Sequence, residues 1–496
     1  MRKSVIAFRA VLLLGLAVVA SPPLSPQTVA EYMAAIERAQ PDPGDNPLAA
    51  MTIAELMENF GVPGVSLAVI RDFEIHWAKG YGIADVVTGA PVDTETMFQA
   101  ASMSKPVAAM ATLRAVQDGL FTLDDDINSI LTSWRLDGDD FTKDRPVTPR
   151  TLTSHTSGLG DAFGFPGYDP ADPIPTAVQV LEGHELSNVG PVFMERAPMV
   201  AYEYSGGGVT VMQQALADAR GRPFEDILRD HVLAPIGMTR SSYQQPISPE
   251  HDQNAARAHD REGQSMGSKW HVYPEMAAAG LWTTPSDLAR FLIEVQKSAV
   301  GESNRVLSRV MAQEMLTPVG VGSFAVGFSL GKTGEGWYFS HGGSNWGFQG
   351  TMMAHKVKGY GVAVMTNADR GGALANELSR RIQVAYEWDT FAEPVPRGYA
   401  PAVERTEITV AEEILATYVG DYELSEELTL VITLENGGLF VEPTGQGKFP
   451  LFAESETEFF VRVMNAQISF TKDDAGEVTG LVLHMDGRDQ PATKAR

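Results

Sequence analysis

The chain has 496 residues, 44% hydrophobic and 20% charged, enough apolar material for two or three packed domains and too much for a largely disordered protein. Its 38 Lys and Arg against 63 Asp and Glu leave a net charge of −25, which argues against partners such as nucleic-acid phosphates or anionic lipid. Cysteine is absent, which excludes disulfides, thiolate metal sites, cysteine nucleophiles and acylated cysteines together.

Arg2, Lys3 and Arg9 precede the apolar run 10–20, and Val18 and Ala20 stand just before Ser21. This is the layout of a signal peptide over residues 1–20. The run is shorter than the ~20 apolar residues that span a bilayer, so the expectation is export to the periplasm or medium with no stable span after cleavage. Residues 21–48 read as a proline-rich lead-in around one amphipathic stretch, 29–38. Residues 49–392 behave as one mixed unit. Strands are expected at 65–70 and 75–78, joined at Arg71-Asp72-Phe73, then helices at 105–118, 209–219 and 286–296. Strands return at 325–330, 337–341, 350–355 and 361–365, with turns at 331–336 and 356–359. An antiparallel sheet split between the ends of the unit, with helices in between, makes an α+β fold. Three prolines and a glycine mark a linker over 393–405. Residues 406–496 alternate apolar and polar residues at 428–434, turn at 435–438, resume at Leu439 and Val441 and carry further runs at 458–463, 467–471 and 478–484, as expected for a small antiparallel β-barrel.

The chemistry concentrates at Ser102-Met-Ser-Lys105, where Val107, Met110, Leu113 and Val116 recur at helical spacing and Gly119 stops the pattern. Ser102 thus stands at the start of a buried helix with Lys105 one turn on, on the same face. A helix N-terminus and burial both disfavour the ammonium, so Lys105 is placed to act as the base that activates Ser102. The bare pattern arises by chance about once in a chain this long. It recurs at Ser329 and Lys332, where a strand would point the two to opposite faces. Tyr204 precedes the glycines 206–208 and a helix, either an exposed phenol or a plain helix entry. His341-Gly342-Gly343 strips a strand of side chains, which lets a substrate approach and offers backbone N–H groups, or else marks a bulge. His155, in Ser154-His-Thr-Ser-Gly158, reads as structural.

Taken in order, these segments resemble the serine β-lactamase and penicillin-binding-protein family, closest to its class C β-lactamase-like and family VIII esterase-like branch. Val62-Pro-Gly-Val-Ser66, Gly80-Tyr-Gly-Ile-Ala-Asp85, Ala278-Ala-Gly-Leu281 and Asp287-Leu-Ala-Arg290 extend the likeness. The C-terminal region resembles the lipocalin-like domain appended to many such hydrolases. The resemblance implies a β-lactamase-like sheet flanked by helices, an all-helical lobe and a small barrel. It implies that Ser102 forms an acyl-enzyme while Lys105 and Tyr204 handle the proton. The N–H groups of Ser102 and Ser344 would then form the oxyanion hole, and His341, Gly342, Gly343 and Gly206 would bind substrate. Two departures weaken the case for β-lactams. The family's Tyr-x-Asn is Tyr204-Ser205-Gly206, and its Lys-Thr-Gly is His341-Gly342-Gly343, a literal Lys332-Thr333-Gly334 falling in the expected turn. The resemblance implies a small ester, amide or peptide as substrate, and no cofactor or metal.

Two rivals belong to other classes. A metal hydrolase finds no support, because the ten histidines lack any close ligand spacing such as His-Glu-x-x-His. A catalytically weak module that recognises cell-wall peptides draws support from glycine at 206, but leaves Ser102, Lys105 and Tyr204 unexplained.

Overall fold

The structure, a computed structural model, describes residues 28–40, 46–160, 165–333, 336–388, 405–425, 428–444, 448–461, 466–473, 475–485 and 488–495. The expected signal peptide, the linker up to residue 404 and Gly334 lie outside the described residues.

Helices α1 (Val29–Glu37) and α2 (Ile53–Phe60) each begin in a capping box. The hydroxyls of Thr28 and Thr52 accept from the N–H groups of Glu31 and Glu55, and those carboxylates return to the cap N–H groups. Strands β1 (Gly64–Arg71) and β2 (Glu74–Asp85) form the expected hairpin, with Asp72 and Phe73 at positive φ in its turn. A short β3 (Ala90–Pro91) follows. The middle of the chain carries α3 (Ser104–Gln117), α4 (Pro149–Thr153), α5 (Gly206–Arg220), α6 (Met276–Ala279) and α7 (Pro285–Val300). The chain then returns through β4 (Ser329–Thr333), β5 (Gly336–Asn345), β6 (Phe348–His355), β7 (Gly361–Thr366) and α8 (Gly371–Ala385).

The sheet order is β3-β2-β1-β7-β6-β5-β4. Antiparallel pairing of β1 with β7, from Val65 opposite Thr366 to Ile70 opposite Gly361, joins the two ends of the unit. Alternation along these strands serves two cores. Val65, Leu67, Val69, Val362 and Val364 pack toward α1, α2 and α8. Ala68, Ile70, Ala363 and Met365 pack on the opposite side, with α7 and α3. Helix α3 is buried along nearly its whole length, as expected for one that is apolar on every side.

Some element bounds differ from expectation. Strand β2 continues through Gly80 and Gly82, because those positions admit no side chain. A Cβ at 80 would lie 2.7 Å from the Val92 carbonyl oxygen, and one at 82 would meet the Pro63 carbonyl oxygen. The expected strand at 325–330 starts only at Ser329, since Gly327 at φ +90 breaks the extended path. The hairpin after it is tighter than expected, so Lys332 and Thr333 lie in β4, paired with Trp337 and Gly336, and not in a turn. Helix α5 begins at Gly206, so the glycines form its first turn and are not an approach to it.

The C-terminal region is a closed eight-stranded antiparallel barrel of β8 (Gly420–Ser425), β9 (Leu428–Glu435), β10 (Gly438–Pro443), β11 (Phe449–Ala453), β12 (Glu458–Val461), β13 (Ala466–Lys472), β14 (Val478–Met485) and β15 (Arg488–Lys494). Tyr422, Ile432, Val441, Phe459, Phe470 and Leu481 are buried in it. The sequence reading missed β8, β11 and β15. In β15, Pro491 and the charged residues around it hide the period-two signal.

Candidate active site

Ser102 lies in a 3₁₀ turn, Ala101–Met103, that runs directly into α3. The turn is tight: Ala101 is held at φ +49, a conformation disfavoured for a residue with a side chain. Its surroundings hold it there. The Ala100 N–H donates to the Leu281 carbonyl at 2.8 Å, and the Ser104 hydroxyl donates to the Ala101 carbonyl at 2.5 Å. Gly343 closes over the same turn, where a Cβ would lie 2.3 Å from the Ala100 carbonyl oxygen. The bare strand expected at His341-Gly342-Gly343 therefore abuts the serine.

The amine of Lys105 donates to Ser102 Oγ at 3.1 Å and to the Ala278 carbonyl at 2.8 Å. Ala278 belongs to α6, and side-chain amides pin the segment around it. Gln213 donates to the Pro274 carbonyl and accepts from the Ala277 N–H, at 2.9 and 2.8 Å. Asn345 donates to the Ala279 carbonyl at 3.1 Å, Gln245 to the Gly280 carbonyl at 2.5 Å, and Gln99 to the His271 carbonyl at 2.7 Å. These amides are distant in sequence and carry no local pattern, so the sequence reading missed them.

Tyr204 comes from the residues leading into α5, whose N-cap Ser205 accepts from the Gly208 N–H at 2.8 Å. Its side chain hydrogen-bonds to Ser102, and burial raises its phenol above the ordinary value, the Ser102 contact opposing the shift. The Lys105 amine lies 5.0 Å from the centre of its ring. His155 braces the tyrosine from behind, its ring 4.2 Å from the Tyr204 ring between centres. Its Nδ1 accepts from the Ser205 N–H at 3.2 Å, and its carbonyl accepts from the Glu203 N–H at 2.8 Å. Burial, with the charge of Lys105, pushes its pKa well down, so it stays a neutral wall. Phe324 stands against His155 at 4.9 Å, with Tyr202 stacked on it at 5.4 Å.

His341 is also buried, and burial followed by the Lys105 charge brings it down to about 3. Its Nδ1 contacts the Gly342 carbonyl oxygen at 2.6 Å and must carry the proton, which leaves Nε2 a buried acceptor without a partner among the described residues. Strand β4 stops pairing at Ser329 opposite Ser340, so no strand flanks the outer edge of β5 from His341 to Asn345 among the described residues. Trp346-Gly347 is a two-residue turn between Asn345 and Phe348. Antiparallel alternation from that pair turns the Ser344 N–H away from β6, toward the open edge.

Glu275, at the start of α6, is fully buried, and neither carboxylate oxygen has a partner among the described residues. Burial raises it to about 8. Because the folded value lies above the ordinary one of about 4.5, its contribution to stability is complete below about pH 4.5 and is lost as pH rises toward 8. Glu275→Gln is therefore expected to melt above the parent at pH 8 and to lose that advantage by pH 5. The gap should close by about 2–4 °C or more in paired melting curves. A constant offset across that range would show that the fold does not raise the Glu275 carboxyl above its ordinary value.

A second serine–histidine–aspartate row lies on the barrel. Ser469 is 2.9 Å from His484 Nε2, and His484 Nδ1 is 2.7 Å from Asp489. Strand β13 is paired on both sides at Ser469, which ties its backbone into the ladder, and the Asp489 side chain is 76% exposed. This row lacks the buried, preorganised surroundings of Ser102. Among the described residues there is no cluster of three or more His, Asp or Glu side chains placed to hold a metal ion. No described helix is long and apolar enough to cross a membrane.

Comparison with known proteins places this site in context. The family model described as Beta-lactamase matches residues 49–387, and Domain of unknown function (DUF3471) matches residues 404–494. The chain is 24% identical to Penicillin-binding protein 4* of Bacillus subtilis (strain 168) over 448 residues, covering 85% of this chain and 93% of that protein. Among solved structures it is similar to the octameric penicillin-binding protein homologue from Pyrococcus abyssi, with TM-score 0.56, 20% identity, and 89% and 98% of the two chains covered. It is similar also to the D-amino acid amidase from Ochrobactrum anthropi SV3, with TM-score 0.52, 24% identity, and 68% and 97% covered. At these identities the structural likeness speaks for the fold alone.

Proposed function

The chain belongs to the Beta-lactamase family, and on that premise we propose that it is an exported serine hydrolase that cleaves an ester or amide through an acyl-enzyme on Ser102. The observation that carries this reading is the convergence of Lys105 and Tyr204 on one hydroxyl, that of Ser102, beside an unpaired strand edge.

In this reading Ser102 Oγ attacks the substrate carbonyl while its proton passes to Lys105. The carbonyl oxygen gathers charge against the N–H groups of Ser102 and Ser344. The raised phenol of Tyr204 keeps its proton at rest, which suits it to relay a proton to the leaving oxygen or nitrogen as that bond breaks. Water then attacks the acyl-enzyme, the ester bond to Oγ breaks, and Ser102 regains its proton. Neutral His155 and His341 add no positive charge to compete with Lys105. Export rests on the charged start and apolar run before Ser21.

The test is covalent labelling of residues 21–496 with a fluorophosphonate and a penicillin probe, read as an intact mass shift mapped to the Ser102 peptide. Label from at least one probe, absent in Ser102→Ala, is the expected result. A folded protein that takes no label from either probe overturns the reading. Rates on a p-nitrophenyl ester, a chromogenic cephalosporin and a D-alanyl p-nitroanilide then sort the substrate class. For export, the protein recovered outside the cytoplasm is expected to begin at Ser21.

A further inference from the structure

We propose that Phe165 walls the site beside Tyr204, and that it selects substrates whose acyl group is apolar and bears no acylamino substituent next to the reacting carbonyl. This rests on the acyl-enzyme reading above.

The argument begins at Gly206, two residues after Tyr204 and the first residue of α5. A Cβ at 206 would lie 2.6 Å from Phe165 Cε2 and 3.1 Å from its Cζ. The edge of the phenyl ring thus occupies the space that a side chain at 206 would need, and such a side chain would have to displace the ring. Phe165 is half-buried, packed against the main core on one side and open on the other.

The backbone that follows Phe165 is also tied to the frame that holds the rest of the site. The Pro166 carbonyl oxygen contacts His271 Nδ1 at 3.0 Å, and the Asn188 side chain donates to the Gly167 carbonyl at 2.8 Å. Tyr168 pairs with Val272 by two backbone hydrogen bonds of 2.9 and 2.8 Å. His271 stacks on Trp346 with ring centres 3.9 Å apart and planes 5° from parallel. Trp346 donates its N–H to the Tyr273 hydroxyl at 3.1 Å, and it sits two residues after Ser344. Phe165 is thereby positioned through the turn that ends β5. Tyr202 and Phe324 flank Tyr204 on the side of His341, so aromatic rings recur around the tyrosine.

An amide group of a substrate pressed against this phenyl ring gives up hydrogen bonds to water and regains none from position 206. Losses of that kind discriminate on the order of 10- to 100-fold. An apolar acyl group gains roughly fourfold for each methylene it buries there.

The experiment uses two p-nitrophenyl esters with one leaving group, the phenylacetate and the N-acetylphenylglycinate, which differ only by the acetamido group. Each rate is divided by that ester's hydroxide-catalysed rate. The expected result is a preference of the protein for the phenylacetate by about 10-fold or more, cut about tenfold in Phe165→Ala and retained in Phe165→Leu. The change should fall mainly on KM. Equal losses on both esters in Phe165→Ala, or an unchanged preference, overturn the role of Phe165. Absence of Ser102-dependent turnover on either ester overturns instead the acyl-enzyme reading on which it rests.

Discussion

Replacing Lys105 by alanine is expected to lower kcat/KM about 10³- to 10⁴-fold on any substrate that acylates Ser102, toward the upper end of what a positioned base contributes. The amine bridges Ser102 Oγ and the Ala278 carbonyl, so its loss removes both the proton acceptor and a contact that orients it. Lys105→Arg separates these parts. A guanidinium still donates to the carbonyl but does not deprotonate, so activity is expected to stay within about tenfold of the alanine variant. Tyr204→Phe in the Lys105→Ala background should cost much less than in the parent, because groups that act as a unit are not additive. Initial rates of the parent, the three single variants and the double variant on one p-nitrophenyl ester decide the matter. An arginine variant close to the parent would remove Lys105 from proton transfer.

The second large effect concerns stability. Arg381 on α8 is fully buried and donates all round its guanidinium: to Glu377 at 2.9 Å, to the carbonyls of Ile36 and Arg38 at 3.1 and 3.2 Å, and to those of Leu48 and Met51 at 2.7 and 2.6 Å. Two of these carbonyls lie at the end of α1, where helical partners run out. The segment read from sequence as a lead-in is therefore held to the domain at 36–51. Arg381→Met takes a donor from four carbonyls, of which that of Leu48 keeps the Met51 N–H, and weakens the pairing of a buried carboxylate. Its expected cost is about 3–5 kcal/mol, the range for breaking a buried pair on one side. The melting temperature should fall on the order of 5–10 °C, with faster proteolysis between 28 and 52. A shift of about 1 °C or less would show that the arginine does not hold this segment.

Phe165 and the buried amides mark where local reading runs out. Ser102 and Lys105 are three residues apart on a helix start, so helical period and a glycine stop were enough to bring them together. The β1 and β2 hairpin was visible in its apolar runs and turn residues. Gly206 was noted as a departure from a family pattern, but what fills its space comes from a loop forty-one residues away. His155 was read as structural, and its ring does brace Tyr204. What lies opposite it, Phe324, stands just before the expected strand 325–330, which is irregular up to Ser329.

The sequence by itself determined the class of fold, the hairpin, the buried helix behind the serine, the barrel-like C-terminal pattern and the serine–lysine pair. Each of these follows from periodicity, composition or spacing within one or two turns of chain. Only the tertiary structure decided that Tyr204 meets Ser102, that Gly343 closes on the turn of the nucleophile, and that four side-chain amides hold the carbonyl facing Lys105. It also decided that a phenyl ring, and not an amide, stands at Gly206. Such contacts join residues tens to hundreds of positions apart, and no local propensity encodes them. They exist because burying the two faces of one sheet leaves few ways to pack the lobe against it, and most buried polar groups then find their partners there.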